Sequence, residues 1–288
     1  MSIIKTEDLS YEYISPAQNE KEAAAVKVHA IRGVSLDVQS GQFIGIAGRN
    51  GSGKSTLARH LNALLIPTGG TVIIAGMDTK NEKDHLSIRE NAGMIFQNPD
   101  NQIVAPIVED DAAFGPENLG VPTNSIIQRV ARALKMTGME KHAKSSTSKL
   151  SGGQKQRTAI AGVMAMQPTC MILDEPTAML DPEGREEVMR EIGWLNREKG
   201  MTIILITHYM EELTAADVIY VMDEGRIALS GTPEEVFLNV DRIKELGLEA
   251  PPMTQLAFEL RKDGIDIPGT IFTPEEMADA ICRSYSKM

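Results

Sequence analysis

Cysteine is scarce in this chain of 288 residues, which contains only Cys170 and Cys282. The two lie far apart in the sequence and neither belongs to a C-x-x-C motif, so neither a disulfide framework nor a zinc site is predicted. The five histidines also lack the spacing that is typical of metal ligands. Disulfide-rich scaffolds and zinc-binding modules are therefore disfavoured as classes.

Long apolar runs are missing as well. The longest comprise only a few residues, whereas a helix that crosses a bilayer needs about 20. The first residues, M-S-I-I-K-T-E, lack the apolar core of a signal peptide. A hydrophobic content of 42% and a charged content of 24% are ordinary for a soluble globular protein. We therefore expect the protein in the cytosol, or on the cytosolic face of a partner in the membrane.

Basic residues are outnumbered by acidic ones, 29 to 40, which gives a formal net charge of −11. Proteins that bind nucleic acid broadly need a basic face, so the composition argues against this class. A nucleotide site remains compatible with the charge, because backbone N–H groups and one lysine suffice to bind phosphates.

A glycine-rich loop at residues 48–55 reads G-R-N-G-S-G-K-S and matches the P-loop pattern G-x-x-x-x-G-K-S. The apolar stretch 42–47 predicts a buried strand before it, and residues 56–65 predict a helix after it. The glycines allow several N–H groups to converge on one anion. Lys54 is predicted to reach the β- and γ-phosphates of ATP, and Ser55 to bind Mg²⁺. The predicted nucleotide-binding residues of this loop are Gly48, Arg49, Asn50, Gly51, Ser52, Gly53, Lys54, Ser55 and Thr56.

A second motif, M-I-L-D-E at residues 171–175, predicts an apolar strand that ends in two carboxylates, the Walker B pattern. Asp174 is predicted to hold Mg²⁺, and Glu175, which faces the other way, to polarise the attacking water. Adjacent carboxylates are also common at a solvated strand edge. The P-loop in the same chain favours the functional interpretation.

Strand patterns at 170–173 and 202–206 flank a helical stretch at 182–199, and this alternation predicts a parallel α/β sheet around the P-loop. Two further strands are predicted at 3–13 and 31–38, joined by a long polar connection at 16–27.

Residues from about 103 to 167 favour helix, which predicts a helical insertion. Breaks within it are predicted at Pro106, Gly115–Pro116, Gly120–Pro122 and Gly138. After a hairpin predicted at 218–229, the tetrapeptide T-P-E-E occurs at 232–235 and again at 273–276. Each copy predicts a helix start with a capping box.

Residues 150–154 read L-S-G-G-Q, and together with the P-loop they make the chain resemble the ABC ATPases. Gln97, Asp181 and His208 fit the Q-loop, D-loop and H-loop of that family in order and spacing. The resemblance covers residues 3 to about 235. It implies an α/β P-loop NTPase fold with a mostly parallel core sheet, an antiparallel β subdomain, a helical signature subdomain and a small C-terminal helical extension.

The resemblance further implies a nucleotide-binding domain at residues 1–237, with its helical subdomain at about 98–167, and a small C-terminal helical domain at 238–288. In the family, the signature loop of a second subunit clamps the γ-phosphate held by the first P-loop, so that two sites form in a head-to-tail dimer. Other nucleotide-contacting residues implied in this way are Ser151, Gly152, Gly153, Gln154 and Asp181.

Roles in hydrolysis follow from the same resemblance. His208 would hydrogen-bond the γ-phosphate and order the water together with Glu175. Gln97 would contact Mg²⁺ and the water, and would couple the site to the helical insertion. Tyr13 would stack on adenine, with Tyr11 as the alternative, because a strand tyrosine more often belongs to the core.

Four segments narrow the resemblance to the ATPase subunits of energy-coupling factor (ECF) transporters, including those of cobalt importers, and among them to the first of two paralogous ATPases. These segments are F-Q-N-P-D-N-Q at 96–102, E-D-D-A-A-F-G-P-E-N at 109–118, K-Q-R at 155–157 and M-L-D-P-E-G-R at 179–185. Residues 176–178, P-T-A, depart from that paralogue and leave open a homodimer or a heterodimer.

This resemblance implies an ATPase that energises the uptake of vitamins or transition-metal ions from the cytoplasmic side of the cell membrane. Its implied partners are a second ABC ATPase subunit, an integral membrane T subunit and a substrate-binding membrane S subunit, and no nucleic acid. One rival is an ABC ATPase that acts mechanically on ribosomes or DNA. Such proteins usually fuse two ATPase domains or carry a coiled coil, whereas this chain has one P-loop and no heptad run. A nucleotide-binding module without turnover is a third hypothesis, which Glu175 and His208 disfavour.

Overall fold

The computed structural model describes residues 1–15 and 26–285. Within them the strands are β1 (Ser2–Ser15), β2 (Val26–Gln39), β3 (Phe43–Gly48), β4 (Gly69–Ile74), β5 (Met77–Asp78), β6 (Ala92–Ile95), β7 (Cys170–Asp174), β8 (Thr202–Ile206), β9 (Val218–Asp223) and β10 (Arg226–Gly231). The α-helices are α1 (Lys54–His60), α2 (His85–Asn91), α3 (Val108–Asn118), α4 (Thr123–Met136), α5 (Gly152–Met166), α6 (Pro182–Lys199), α7 (Pro233–Phe237), α8 (Val240–Glu245), α9 (Pro252–Lys262) and α10 (Pro274–Tyr285).

The central sheet has the strand order β10-β9-β3-β8-β7-β6, and all of its neighbouring pairs are parallel except β9 with β10. Every residue of β3, β7 and β8 is buried. Continuous apolar strands of this kind are typical of a parallel sheet covered on both faces. The predicted α/β fold with a mostly parallel core sheet is therefore confirmed.

A second sheet, in the order β2-β1-β4-β5, is antiparallel throughout and corresponds to the predicted β subdomain. Its inward side chains Ile4 and Val72 share a core cluster with Leu57 of α1 and with Ile44 and Ile172 of the central sheet. Of the predicted connection at 16–27, Val26 and Lys27 belong to β2, and the rest lies outside the described residues.

Helices α3, α4 and α5 form the helical insertion and pack with α6 on the other face of the central sheet. The predicted break at Gly115–Pro116 is wrong, because α3 continues through both residues to Asn118. Gly115 lies against α5, where an added Cβ would come within 2.7 Å of Met166 Cγ. The glycine is thus needed for close helix packing, and tertiary contacts override its helix-breaking tendency.

The helix after the P-loop is shorter than predicted, since α1 ends at His60 and does not reach Leu65. Ala63 has a left-handed backbone with a φ of 51°. The N–H groups of Leu64 and Leu65 both bond to the carbonyl of Arg59 and close the turn. A left-handed alanine is costly and leaves no local signal in the sequence.

The C-terminal part begins with α7, whose capping box between Thr232 and Glu235 is confirmed. Thr273 and Glu276 form the same reciprocal pair at the start of α10. A separate small core lies between α9 and α10 and comprises Ala257, Ile267, Ile271, Met277 and Ala280. The domain boundary at 237/238 stays a prediction. Within residues 1–15 and 26–285, none of the helices combines the length and apolar character needed to cross a membrane.

An apolar cavity of about 330 Å³ lies between α4, α5 and α6 and contains one carboxyl group, that of Glu191. Burial raises the pKa of Glu191 to about 7, although Arg157 opposes the shift. Because the folded protein binds this proton more tightly than the unfolded chain, Glu191 should lower stability progressively as the pH rises from about 4.5 to about 7.

We therefore expect Glu191→Gln to raise the unfolding midpoint at pH 8 and to have a smaller effect at pH 5. Urea denaturation at both pH values measures this, with Glu186→Gln on the exposed side of the same helix as the control. A midpoint shift that is equal at the two pH values would contradict the assignment.

Candidate nucleotide-binding and hydrolysis site

The glycine-rich loop connects the end of β3 to the start of α1, as predicted. Gly53 caps α1 with a φ of 102°, and a Cβ added there would lie 2.5 Å from the carbonyl oxygen of Ala30. Gly48 is equally confined, with Met222 O 2.5 Å from such a Cβ. Only glycine fits at these two positions, so the tight curl of the loop depends on them.

Lys54 is buried, and its ammonium group donates hydrogen bonds to the carbonyl oxygens of Gly48 (2.7 Å) and Arg49 (2.9 Å). Burial lowers the pKa of Lys54, while the carboxylates of Glu175 and Asp174 oppose that shift. The positive charge is thus held inside the loop, where phosphate oxygens are predicted to bind.

Asp174 ends β7 and accepts a hydrogen bond from Ser55 Oγ at 3.0 Å. Burial raises the pKa of Asp174, and the hydrogen bond from Ser55 opposes this effect. A hydroxyl and a carboxylate in contact supply the hard oxygen donors that Mg²⁺ prefers. The two residues therefore fit the metal role predicted for them.

Glu175, Gln97 and His208 come together at the carboxyl edge of the sheet. The Glu175 carboxylate accepts a hydrogen bond from Gln97 Nε2 at 2.8 Å and lies 3.4 Å from His208 Nδ1. Glu175 has a left-handed backbone with a φ of 50°, which its N–H bond to Ile206 O at 2.8 Å helps to hold. A left-handed backbone at a residue other than glycine is strained, and such strain is typical of functional sites.

A cavity of about 710 Å³ lies in front of this group. Six of the predicted site residues line it: Gly48, Arg49, Asn50, Gln97, Glu175 and His208. The Tyr13 hydroxyl lies 3.3 Å from Thr56 Oγ1, in the first turn of α1. Tyr11 instead packs edge-on against Tyr13 and His60, beside the core. The placement of Tyr13 is compatible with adenine stacking, which stays a prediction.

The L-S-G-G-Q residues do not line the larger cavity. Ser151 and Gln154 form a capping box at the start of α5, so the loop presents a helix N-terminus. Asp181 caps α6 by accepting a hydrogen bond from Gly184 N at 2.9 Å. Ser151, Gly152, Gly153 and Asp181 line a cavity of about 300 Å³ that shares no residue with the larger one.

One contributor to the larger cavity has no motif in the sequence. The segment 247–250, between α8 and α9, lines it next to Arg49 of the P-loop. Gly247 lies close to Arg49, whose Cδ would be 2.5 Å from an added Cβ. Because the contact joins distant parts of the chain, no local pattern could have indicated it.

Comparison with known proteins places the chain in a family. The ABC transporter family profile matches residues 31–178, and the profile of the energy-coupling factor transporter EcfA1 C-terminal domain matches residues 254–288. The energy-coupling factor transporter ATP-binding protein EcfA1 of Symbiobacterium thermophilum is 54% identical over 99% of this chain and 98% of its own length. The EcfA1 of Caldanaerobacter subterraneus is also 54% identical, over 98% of this chain and 99% of its own. The chain belongs to the EcfA1 family of ABC transporter ATPases.

Solved structures agree with the EcfA1 assignment. CbiO1 of Clostridium perfringens, part of the ABC transporter complex CbiONQ, is 38% identical with a TM-score of 0.71, over 85% of this chain and 94% of its own. The ATP-binding cassette MJ0796, solved as a dimer in a post-hydrolysis state with ADP and Pi, is 27% identical with a TM-score of 0.71, over 80% of this chain and 98% of its own. The predicted ABC ATPase fold and ECF resemblance are therefore confirmed.

We expect Lys54→Ala to weaken ATP binding about ten- to a hundredfold, since charge-assisted hydrogen bonds to the phosphates are lost. Isothermal titration calorimetry with ATP measures the change. Lys83→Ala, at an exposed lysine remote from the loop, serves as the control. Unchanged affinity in Lys54→Ala would contradict the P-loop assignment.

Proposed function

We propose that this chain energises import as one of two ATPase subunits that close around ATP and open after its hydrolysis. As a member of the EcfA1 family, it is an ATP-binding subunit of an energy-coupling factor transporter, with ATP hydrolysis as its activity. The observation that carries the paired mechanism is the division of the site into two cavities with no residue in common.

ATP is held through its phosphates by the loop at residues 48–56, with Lys54 at the β- and γ-phosphates and Tyr13 on the adenine. Ser55, Asp174 and the amide oxygen of Gln97 would hold Mg²⁺. The amide nitrogen of Gln97 donates to Glu175, so its oxygen is the atom offered to the metal. When bound, Mg²⁺ would neutralise charge on the β- and γ-phosphate oxygens.

Hydrolysis relies on positioning and on charge neutralisation. The Glu175 carboxylate accepts a hydrogen bond from the attacking water and orients it towards the γ-phosphate. His208, 3.4 Å from that carboxylate, donates to a γ-phosphate oxygen. Gln97 Nε2 donates to the same oxygen of the carboxylate, Oε2, and helps to hold it in place. Glu175 is therefore the polarising group, and His208 is the residue that distinguishes ATP from ADP.

The second half of each site comes from the other subunit. Its Ser151 hydroxyl and the N–H groups of Gly152 and Gly153 stand at a helix N-terminus, which favours an anion. In a head-to-tail pair, this surface covers the γ-phosphate, with Gln154 and Asp181 beside it. The other subunit is a second copy or a paralogue. The dimeric state of MJ0796 supports such pairing.

Closure is passed on through the segment that follows Gln97. Gln102 accepts a hydrogen bond from Phe96 N (3.2 Å) and donates to Ala159 O of α5 (3.4 Å). The buried carboxylate of Asp111 in α3 accepts from Val104 N (2.7 Å) and Ala105 N (2.9 Å). The segment 96–105, which contains Gln97, is thus tied by hydrogen bonds to α5 and α3, two of the three helices of the insertion.

The membrane partner docks beside this segment. Val104 and Phe114 are 60% and 49% exposed although both are large and apolar. Asp110 lies in the first turn of the same helix as Phe114, beside Glu109, which pairs with Lys144. The negative charge of Asp110 makes the surface suit a basic, amphipathic segment of the T subunit. The ATPase then sits on the cytoplasmic side of the cell membrane, and an S subunit supplies vitamins or transition-metal ions.

We expect Glu175→Gln to bind ATP and to pair in its presence, but to hydrolyse it about 10²–10⁴ times more slowly, because the water loses its polarising carboxylate. Phosphate release and size-exclusion chromatography with ATP measure the two effects. Glu224→Gln is a matched control, since Glu224 also has a left-handed backbone (φ 45°) but is exposed in a hairpin turn. Normal turnover in Glu175→Gln would remove Glu175 from its role.

We expect Phe114→Glu to abolish co-purification with the membrane subunits while ATP binding is retained, because a charge enters the apolar contact. Affinity purification of the intact membrane complex, followed by identification of its subunits and bound solute, measures this. Leu86→Glu introduces the same charge at a leucine that is 64% exposed on α2. Equal recovery of the complex with both variants would place the docking surface elsewhere.

A further inference from the structure

A buried carboxylate lies behind the catalytic residues, and no step described above uses it. Glu212 follows His208 on a short 3-10 turn, and its side chain is 2% exposed. It accepts a hydrogen bond from Thr177 Oγ1 at 2.6 Å. Burial raises the pKa of Glu212, while the hydroxyls of Thr177 and Thr207 oppose that shift. A buried charge is costly unless it is paired, so the partners of Glu212 indicate what its carboxylate does.

Those contacts join the two loops that carry the catalytic groups. Thr177 stands two residues after Glu175, in the P-T-A stretch, and Thr207 directly precedes His208. A single carboxylate therefore fixes the path of the chain on both sides of the Glu175–His208 contact.

Arg185 connects this carboxylate to the helix that Asp181 caps. Its Nε lies 3.8 Å from Glu212 Oε1, and its backbone N–H donates to Asp181 O at 2.9 Å. Its guanidinium carbon lies 3.5 Å from the centre of the Tyr209 ring. Partly desolvated stacking of this kind is a favourable cation–π contact.

Tyr209 completes the connection, because its ring lies 4.1 Å from the His208 ring, at an interplanar angle of 39°. Its backbone N–H donates to Thr207 Oγ1 at 3.0 Å. A continuous series of contacts thus runs from Glu212 to Arg185, Tyr209 and His208, and ends at the Glu175 carboxylate.

We propose that Arg185 and Glu212 are positioning residues that act through the Tyr209 ring to hold His208 in line with Glu175. Arg185 lies one helical turn from Asp181, which the proposed pairing places at the second subunit. A shift of Asp181 on pairing is therefore transmitted to His208 along the contacts described. This inference rests on the roles proposed above for Glu175 and His208.

The test measures kcat and KM of ATP hydrolysis, together with ATP affinity, for the full chain in its assembled transporter. Arg185→Ala and Tyr209→Leu should each lower kcat about ten- to a hundredfold, because small misplacements of a reacting group cost that much. ATP affinity should stay within about twofold, since the P-loop and the proposed Mg²⁺-holding residues are unchanged in both variants. Tyr209→Phe keeps the ring and should keep kcat within about threefold of the unmodified chain.

Arg190→Ala is the control, because Arg190 is an exposed arginine on the same helix. A variant that is merely less stable would have a lower melting temperature, and its kcat and ATP affinity would fall together. The inference instead expects a lower kcat with nearly unchanged ATP affinity. If Arg185→Ala does not fold, the comparison of Tyr209→Leu with Tyr209→Phe decides by the same criterion. Equal kcat in those two variants would overturn the inference.

The His208→Ala background separates this inference from the function on which it rests. There, Arg185→Ala should cause no further loss of kcat, since its effect passes through His208. An additional tenfold loss would overturn the inference alone. Normal hydrolysis in His208→Ala itself would overturn both the role of His208 and the inference.

Discussion

Parallel strands of one sheet end along the same edge, and the candidate site depends on this constraint. Strands β3, β7, β8 and β6 are parallel and lie together in the sheet, in the order β3-β8-β7-β6. One functional element follows the end of each strand: the P-loop follows β3, Glu175 follows β7, His208 follows β8 and Gln97 follows β6. Residues that are far apart in sequence therefore meet in hydrogen-bond range without any long-range motif, as is usual for ligand sites of α/β proteins.

Much of this arrangement could be predicted because its signals are local. The strand, glycine loop and helix around Lys54, the carboxylates that end β7 and both T-P-E-E helix starts are each encoded within about ten residues. The continuation of α3 through Gly115–Pro116 was missed because its cause is the contact with Met166 of α5. The segment 247–250 and the bond from Thr177 to Glu212 were missed for the same reason, since each joins distant parts of the chain.

Burial acts in the same way on the two buried charged groups of the site, Lys54 and Asp174. Lys54 and Asp174 are both shifted by burial towards their neutral forms, and each is opposed by a neighbour of the site. Keeping charged groups in a dry setting is costly, but it strengthens their action on phosphate when ATP is bound. The same cost explains why the more distant carboxylate of Glu212 is surrounded by hydroxyls and an arginine.

The separation of the two cavities has a thermodynamic consequence for the proposed pair. When a nucleotide touches both subunits at once, its affinity and the affinity of the subunits for one another are linked. The factor by which ATP raises the association constant of the subunits equals the factor by which association raises the binding constant for ATP. The apparent dissociation constant for ATP must then fall as the protein becomes more concentrated, as it does when a membrane scaffold holds the subunits close together.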